Sequence, residues 1–275
     1  MTDFLTGLQM FSVRDELSAD FEGTVKAVAG MGYDGVEFAG LYGRSPAEAK
    51  AVCDRYGLKI ASIHSSLEEL SADPEGVVKS IAESGADNVV ITYLPEDFRA
   101  GHRRFGEVIE GAKGIGGICA RYGMNLLYHN HDFDFEKVDG EYGLDILYRE
   151  VPESFLKTEL DTCWIDYVGV DPSEYIRKYA GRAPVIHLKD YVMPGKKSEK
   201  AGQNTGVDGV EFDKVKGFEF RPVGYGVQDV ERIIEASRFA GTKWLVVEQD
   251  SPGLGRTAFE CAEMSIKYLK KLIQR

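Results

Sequence analysis

One short phrase recurs along the chain and limits its fold more than any other feature: the end of a helical pattern, a glycine, then a brief apolar run. Met31-Gly32 precedes the run at 33–38, Tyr56-Gly57 the run at 58–63, and Ser84-Gly85 the run at 88–93. Tyr122-Gly123 precedes 125–129, Ala180-Gly181 precedes 184–188, and Ala240-Gly241 precedes 243–248. Each glycine stands where a helix ends in a left-handed residue, a conformation without steric cost for Gly. The runs are rich in Val, Ile and Leu, as in parallel strands buried on both faces.

The intervening segments read as helices. Phe21, Val25 and Val28 share one stripe, as do Val230, Ile233 and Ile234, and Ala262, Ile266 and Leu269. Ser45-Pro46 and Asp171-Pro172 have the form of N-cap and first-turn pairs. Adding 7–12 at the front and 156–161 after Pro152 gives eight strand candidates, each followed by a helical segment. Parallel strands with right-handed crossovers close naturally into a (β/α)8 TIM barrel, an α/β fold, and 275 residues suit one such domain over 1–275. An open doubly wound sheet alternates similarly, but no GxGxxG follows the first run. The one irregular stretch is 191–221, read as an active-site lid or a disordered insertion.

Thirty-three Lys and Arg against 45 Asp and Glu leave a net charge of −12, which disfavours nucleic acid and anionic membrane as partners. There is no apolar run of membrane-spanning length, and the N-terminus has no signal-peptide pattern, so a cytoplasmic protein is expected. Cys53, Cys119, Cys163 and Cys261 are widely spaced, consistent with buried free thiols.

In a barrel, chemistry gathers where the strands end. Those ends carry Gln9, Glu37, His64, Tyr93, His129 with His131, Asp161, His187 and Glu248. Four of the five histidines fall in this set, and only His102 lies elsewhere. Alternation along a strand allows His129 and His131 to point the same way. His129, Asp161, His187 and Glu248 come from consecutive late strands and form a nitrogen and oxygen donor set. Such a set suits Mn²⁺, Co²⁺, Fe²⁺ or Zn²⁺ better than Ca²⁺. The aromatics Phe11, Phe38, Tyr93, Phe133 and Trp164 near strand ends suit the walls of a carbohydrate pocket.

At these residues the chain resembles the xylose-isomerase-like TIM-barrel superfamily, in its sugar phosphate isomerase/epimerase group. The matching segments are Gly7-Leu-Gln-Met-Phe-Ser-Val-Arg-Asp15, Val36-Glu-Phe-Ala-Gly40, Tyr128-His-Asn-His-Asp-Phe133 and Glu159-Leu-Asp161. His187-Leu-Lys-Asp190, Val223-Gly-Tyr-Gly226 and Val247-Glu-Gln-Asp250 complete them. The resemblance implies a divalent metal, Mn²⁺ first, with Co²⁺, Zn²⁺, Fe²⁺ or Mg²⁺ as alternatives. The group's usual ligands are Glu, Asp, His and Glu from strands five to eight. Asp161, His187 and Glu248 match three of them, and His129 stands in place of the fifth-strand Glu. That Glu is also one of two acid/base groups in the group's epimerases, so the departure weakens a two-carboxylate proton exchange.

The expected reaction is metal-assisted proton abstraction beside a carbonyl through an enediolate, in a sugar or sugar derivative. Glu248 is the expected base, with His129 or His131 handling a second proton. Lys189 and His64 would orient or neutralise substrate oxygens, and Glu37 would hydrogen-bond a hydroxyl. Glu159, two residues before Asp161 on the same face, reads equally as a ligand or as a partner of one. Gly253, Gly255 and Arg256 before the last helix could hold a phosphate or carboxylate. Isomerisation or epimerisation ranks first, and elimination by a dehydratase or lyase second, on a keto-sugar, inosose or keto-glycoside. Two further readings are a DNA-cleaving enzyme like endonuclease IV, disfavoured by the acidic charge, and a non-catalytic carbohydrate-binding barrel or subunit. Barrels of this size and charge are often dimeric, which makes a homodimer the expected assembly.

Overall fold

The computed structural model describes residues 4–196 and 216–273. Eight parallel strands close into a barrel: β1 (Leu5–Gln9), β2 (Gly35–Phe38), β3 (Lys59–Ser65), β4 (Asn88–Ile91), β5 (Asn125–His129), β6 (Lys157–Asp161), β7 (Val185–Leu188) and β8 (Trp244–Val247). They pair in chain order, and β1 meets β8 to close the ring. The alternation of strand and helix therefore gives the expected barrel, and all six phrase glycines have positive φ, from Gly85 at 68° to Gly32 at 95°.

The first strand starts two residues earlier than the sequence pattern suggests. After Gln9 the chain turns into a short 3-10 helix, Met10–Val13, which the Gln9 side chain caps by accepting from the Phe11 N–H. Both expected caps form. Ser45 and Glu48 make a reciprocal capping box, and Asp171 accepts from the N–H groups of Ser173 and Glu174. The three apolar stripes are buried against the barrel.

The barrel interior is layered. Ala61, Val90, Leu127, Val185, Trp244 and Val246 fill its N-terminal half. Trp244 fits because Gly7 and Gly35 face it: a Cβ on Gly35 would lie 2.7 Å from the indole and 2.6 Å from the Lys59 carbonyl. Further along β1, β2, β5, β6 and β7, toward their C-terminal ends, buried polar side chains follow. Gln9, Glu37, His129, Glu159 and His187 replace the apolar layer, and Asp161, Lys189 and Glu248 stand above them. A dry plug therefore supports a charged layer that closes one end of the barrel.

Of the stretch at 191–221, residues 197–215 lie outside the described residues. On either side of them, Asp190–Val192 pairs antiparallel with Glu219–Arg221. Phe38 is a correction: it is fully buried and stacks on Phe21 at 5.6 Å, so it belongs to the core rather than to a pocket wall. All four cysteines are free and buried, as expected. Among the described residues, no helix is long and apolar enough to cross a membrane.

Candidate active site

The site grows from the ends of β5 to β8. His129 lies beside Glu159 in the β5–β6 register, and Asp161 beside His187 in the β6–β7 register. Between His129 and His131, the Asn130 side chain turns away and accepts the Asp161 N–H at 3.0 Å, tying the two strand ends together. Asp161 caps the helix Thr162–Tyr167: its Oδ1 accepts from Cys163 N at 2.8 Å and from Trp164 N at 3.3 Å. Its Oδ2 is buried without a hydrogen-bond partner, 3.8 Å from His129 Nε2 and 3.5 Å from Lys189 Nζ.

Four donor atoms, one each from His129, Asp161, His187 and Glu248, lie within 4.8 Å of one another. His187 Nδ1 is 3.0 Å from Glu248 Oε2. Lys189 Nζ reaches the same oxygen at 3.0 Å and Asp250 Oδ1 at 2.8 Å. Burial alone would strip the charge from Lys189, but Glu248, Asp161 and Asp250 hold its pKa well above the ordinary lysine value. The same burial raises Glu248, and Lys189 and His187 outweigh it, so this carboxylate stays ionised. Asp161 is pushed up to about 7, mainly by burial. Burial and the neighbouring cationic groups hold His129 well below the usual histidine range, in the neutral form that can donate a lone pair.

Beneath these groups lies a second polar layer. Glu37 Oε1 accepts from Gln9 Nε2 at 2.7 Å and lies 2.6 Å from His187 Nε2 and 2.9 Å from His64 Nε2. Glu159 Oε1 lies 3.0 Å from His129 Nδ1, 2.9 Å from His64 Nε2 and 3.2 Å from His187 Nε2. His64, His129, Glu159 and His187 also bring four donor atoms within 4.8 Å of one another.

These positions revise several expected roles. Glu37 is fully buried and taken up by this layer, so it does not face a substrate hydroxyl. His64 sits between Glu37 and Glu159, and it also borders a cavity of about 590 Å³ with Leu41, Arg44 and Glu69. Arg256 is the clearest departure. Its guanidinium is exposed and pairs at 3.3 Å with Glu260, in the first turn of the helix that follows it. His131 lies at the edge of the cluster with a buried, unpartnered Nδ1, and burial holds its pKa down at about 3. Its ring stacks on Phe133 at 5.3 Å and approaches Trp164 at 6.2 Å and Tyr93 at 5.4 Å, so three of the expected wall aromatics do gather here.

Sequence reasoning missed Asp250, Phe218 and Phe220. Lys189 Nζ stands 5.3 Å from the Trp164 ring centre and 5.4 Å from that of Phe220. Phe218 stacks on Trp164 at 6.1 Å. Both phenylalanines lie in the aperiodic stretch 191–221, where no strand or helix pattern gave them a direction. Asp250 carried a signal, since it lies two residues beyond Glu248, the spacing that returns a side chain to the same face.

A family model described as xylose isomerase-like TIM barrel matches residues 25–272. The chain belongs to that family. Curated relatives within reach of the sequence are called inosose dehydratase. The one from Clostridium beijerinckii is 26% identical over 277 residues, covering 91% of this chain and 89% of that protein. The one from Geobacillus kaustophilus is 22% identical, covering 90% and 85%. Among solved structures, a sugar phosphate isomerase/epimerase from Parabacteroides distasonis superposes with a TM-score of 0.76 at 23% identity, over 98% of this chain and 94% of that one. That likeness bears on the fold.

The donor set fits a divalent cation of the family. Asp161 Oδ2 is buried without a hydrogen bond and faces His129 Nε2 at 3.8 Å; the Lys189 ammonium at 3.5 Å offsets part of its charge, and a divalent cation would satisfy the oxygen and the neutral imidazole together. Two imidazoles with two carboxylates are the ligand types that first-row divalent ions and Zn²⁺ take.

Proposed function

We propose that this protein is a metal-dependent dehydratase that removes water from a keto-sugar or keto-polyol of the inosose type. This places elimination ahead of the isomerase/epimerase outcome that ranked first on sequence. The observation that carries the reading is the Lys189–Glu248 pair: an ammonium and a carboxylate 3.0 Å apart at the end of the barrel. In isomerisation or epimerisation the proton taken from carbon is replaced at carbon, by the protonated base or by a second group. Expelling a hydroxyl also needs an acid beside the base, and Lys189 supplies one. The name carried by the curated relatives supports the same direction.

His129, Asp161, His187 and Glu248 would hold the ion, with Mn²⁺ our first choice. A divalent cation there supplies Lewis acidity to the substrate carbonyl and makes the adjacent C–H more acidic. Glu248 removes that proton. It is the most open of the four, at 7% exposure against none for Asp161 and His187. As Glu248 takes the proton its charge vanishes, and one of the anions holding the proton on Lys189 is gone. Lys189 then gives its proton to the hydroxyl on the next carbon as that C–O bond breaks, so water leaves and a carbon–carbon double bond forms. The proton on Glu248 returns to Lys189 and closes the cycle. Trp164, Phe220 and Phe133 line the site with apolar rings that suit the C–H faces of a sugar.

The test is incubation with an inosose and Mn²⁺ in deuterated water. Growth of ultraviolet absorbance from the conjugated enone is the expected result. Deuterium uptake beside the carbonyl, with an epimer or isomer and no enone, would overturn elimination in favour of isomerisation or epimerisation.

A further inference from the structure

We propose that Glu159 is a positioning residue: it fixes the His129 imidazole with Nδ1 protonated and Nε2 bare, which makes His129 a metal ligand. The inference rests on the reading that the cluster binds a divalent cation.

Glu159 Oε1 faces three imidazole nitrogens, His64 Nε2 at 2.9 Å, His129 Nδ1 at 3.0 Å and His187 Nε2 at 3.2 Å, and acts as the acceptor toward them, so Nδ1 of His129 carries the proton. A neutral imidazole has one N–H, and the lone pair therefore falls on Nε2. That atom lies 3.8 Å from Asp161 Oδ2, a buried oxygen that makes no hydrogen bond and has the Lys189 ammonium at 3.5 Å. Two ligand atoms each about 2.1 Å from one ion are separated by roughly 3–4 Å, depending on the bond angle, so the spacing accommodates an ion. The backbone cannot do the work of Glu159 here, because the strand carbonyls that face a neighbouring strand are taken by the barrel ladder.

A second imidazole repeats the arrangement with the ring turned over. His187 has Nε2 2.6 Å from Glu37 Oε1 and Nδ1 toward Glu248. Each histidine thus has one nitrogen against a carboxylate in the lower layer and the other in the upper cluster. Strand geometry explains how one strand serves both layers. Glu159 and Asp161 are two residues apart on β6, on the same face, and about 6.6 Å apart along the strand. β6 therefore carries a ligand and, below it, the group that aims a ligand on β5.

The competing arrangement has Glu159 itself as a ligand, with the ion among His64, His129, Glu159 and His187. Cobalt separates the two. Wild type, Glu159→Gln and Glu159→Ala would be titrated with Co²⁺, following the visible absorption band and the heat of binding, with the thermal midpoint of each metal-free protein as a folding control. The expected result is one Co²⁺ bound by wild type, about tenfold weaker binding by the glutamine variant and up to about 100-fold weaker by the alanine variant. The band should stay where it is, because the ligands are unchanged. Glutamine keeps the shape and an acceptor oxygen, so it decides the matter if the alanine variant does not fold. A displaced band in Glu159→Gln, or equal affinity in all folded variants, would overturn the positioning role alone. Failure of wild type to take up Co²⁺ would overturn the metal reading as well.

Discussion

Lys189 Nζ lies 3.0 Å from Glu248 Oε2, and the two residues directly follow the neighbouring strands β7 and β8 of the barrel. The pair is held from behind. Asp190 accepts the N–H groups of Gly224 at 3.0 Å and Gly226 at 2.9 Å, and the Gln228 side chain donates to the Lys189 carbonyl at 2.8 Å. The loop after β7 thus presents Lys189 to Glu248 instead of leaving a flexible lysine in solvent. Glu248→Gln keeps the shape of the side chain and removes its ability to take a proton. Turnover should fall by about 10²–10⁴ while far-ultraviolet circular dichroism is unchanged. His102→Ala, in a loop away from the cluster, should leave kcat as it is. Full activity in Glu248→Gln would mean that another group is the base.

The barrel was legible because two local signals repeat in step. A glycine with positive φ precedes six of the eight strands, and a short apolar run marks those strands. The ligand set was legible because side chains at strand ends in this fold converge whatever the loops do. Depth was not legible. Glu159 and Asp161 share a face, as do Val185, His187 and Lys189, and the pattern does not say which residue reaches the open end. Glu37 therefore read as a substrate contact although the β2 strand ends with its carboxylate inside the barrel. Arg256 misled for a different reason. A glycine-flanked arginine before a helix looks the same in sequence whether it faces a ligand or a helical glutamate one turn on.

Asp134 ties the end of β5 to the loop that follows it. Its Oδ1 accepts from the Tyr128 hydroxyl at 2.7 Å and its Oδ2 from the His131 N–H at 2.8 Å. Burial nonetheless pushes its pKa up to about 7, above the ordinary aspartate value, and the two donors offset only part of that. A folded-state pKa above the unfolded one means that the native protein binds a proton the unfolded chain has already lost. The stabilisation from this group is complete below about pH 4 and is lost as pH rises through about 7. Asp134→Asn removes the titration. The urea midpoint of wild type, measured relative to this variant, should therefore fall between pH 5 and pH 8. A difference that is flat or rises over that range would show that Asp134 is ionised throughout.

The helix Phe105–Arg121 carries two glycines with opposite consequences. At Gly114, which is exposed, a Cβ would meet nothing within 4 Å. Glycine in a helix interior costs about 0.5–1 kcal/mol relative to alanine, so Gly114→Ala should stabilise by about that amount. Two residues on, Gly116 faces the chain just before β6. A Cβ there would lie 1.9 Å from the Phe155 carbonyl oxygen and 2.6 Å from its carbon. Both are backbone atoms, which cannot turn aside as a side chain can, so helix and strand would have to separate. Gly116→Ala should cost about 1–3 kcal/mol despite the gain in helix propensity. Because β6 carries Glu159 and Asp161, the same change should also weaken Co²⁺ binding, whereas Gly114→Ala should not. Urea unfolding and cobalt titration of the two variants check both halves. A Gly116→Ala protein as stable as wild type would mean that the helix does not rest on this carbonyl.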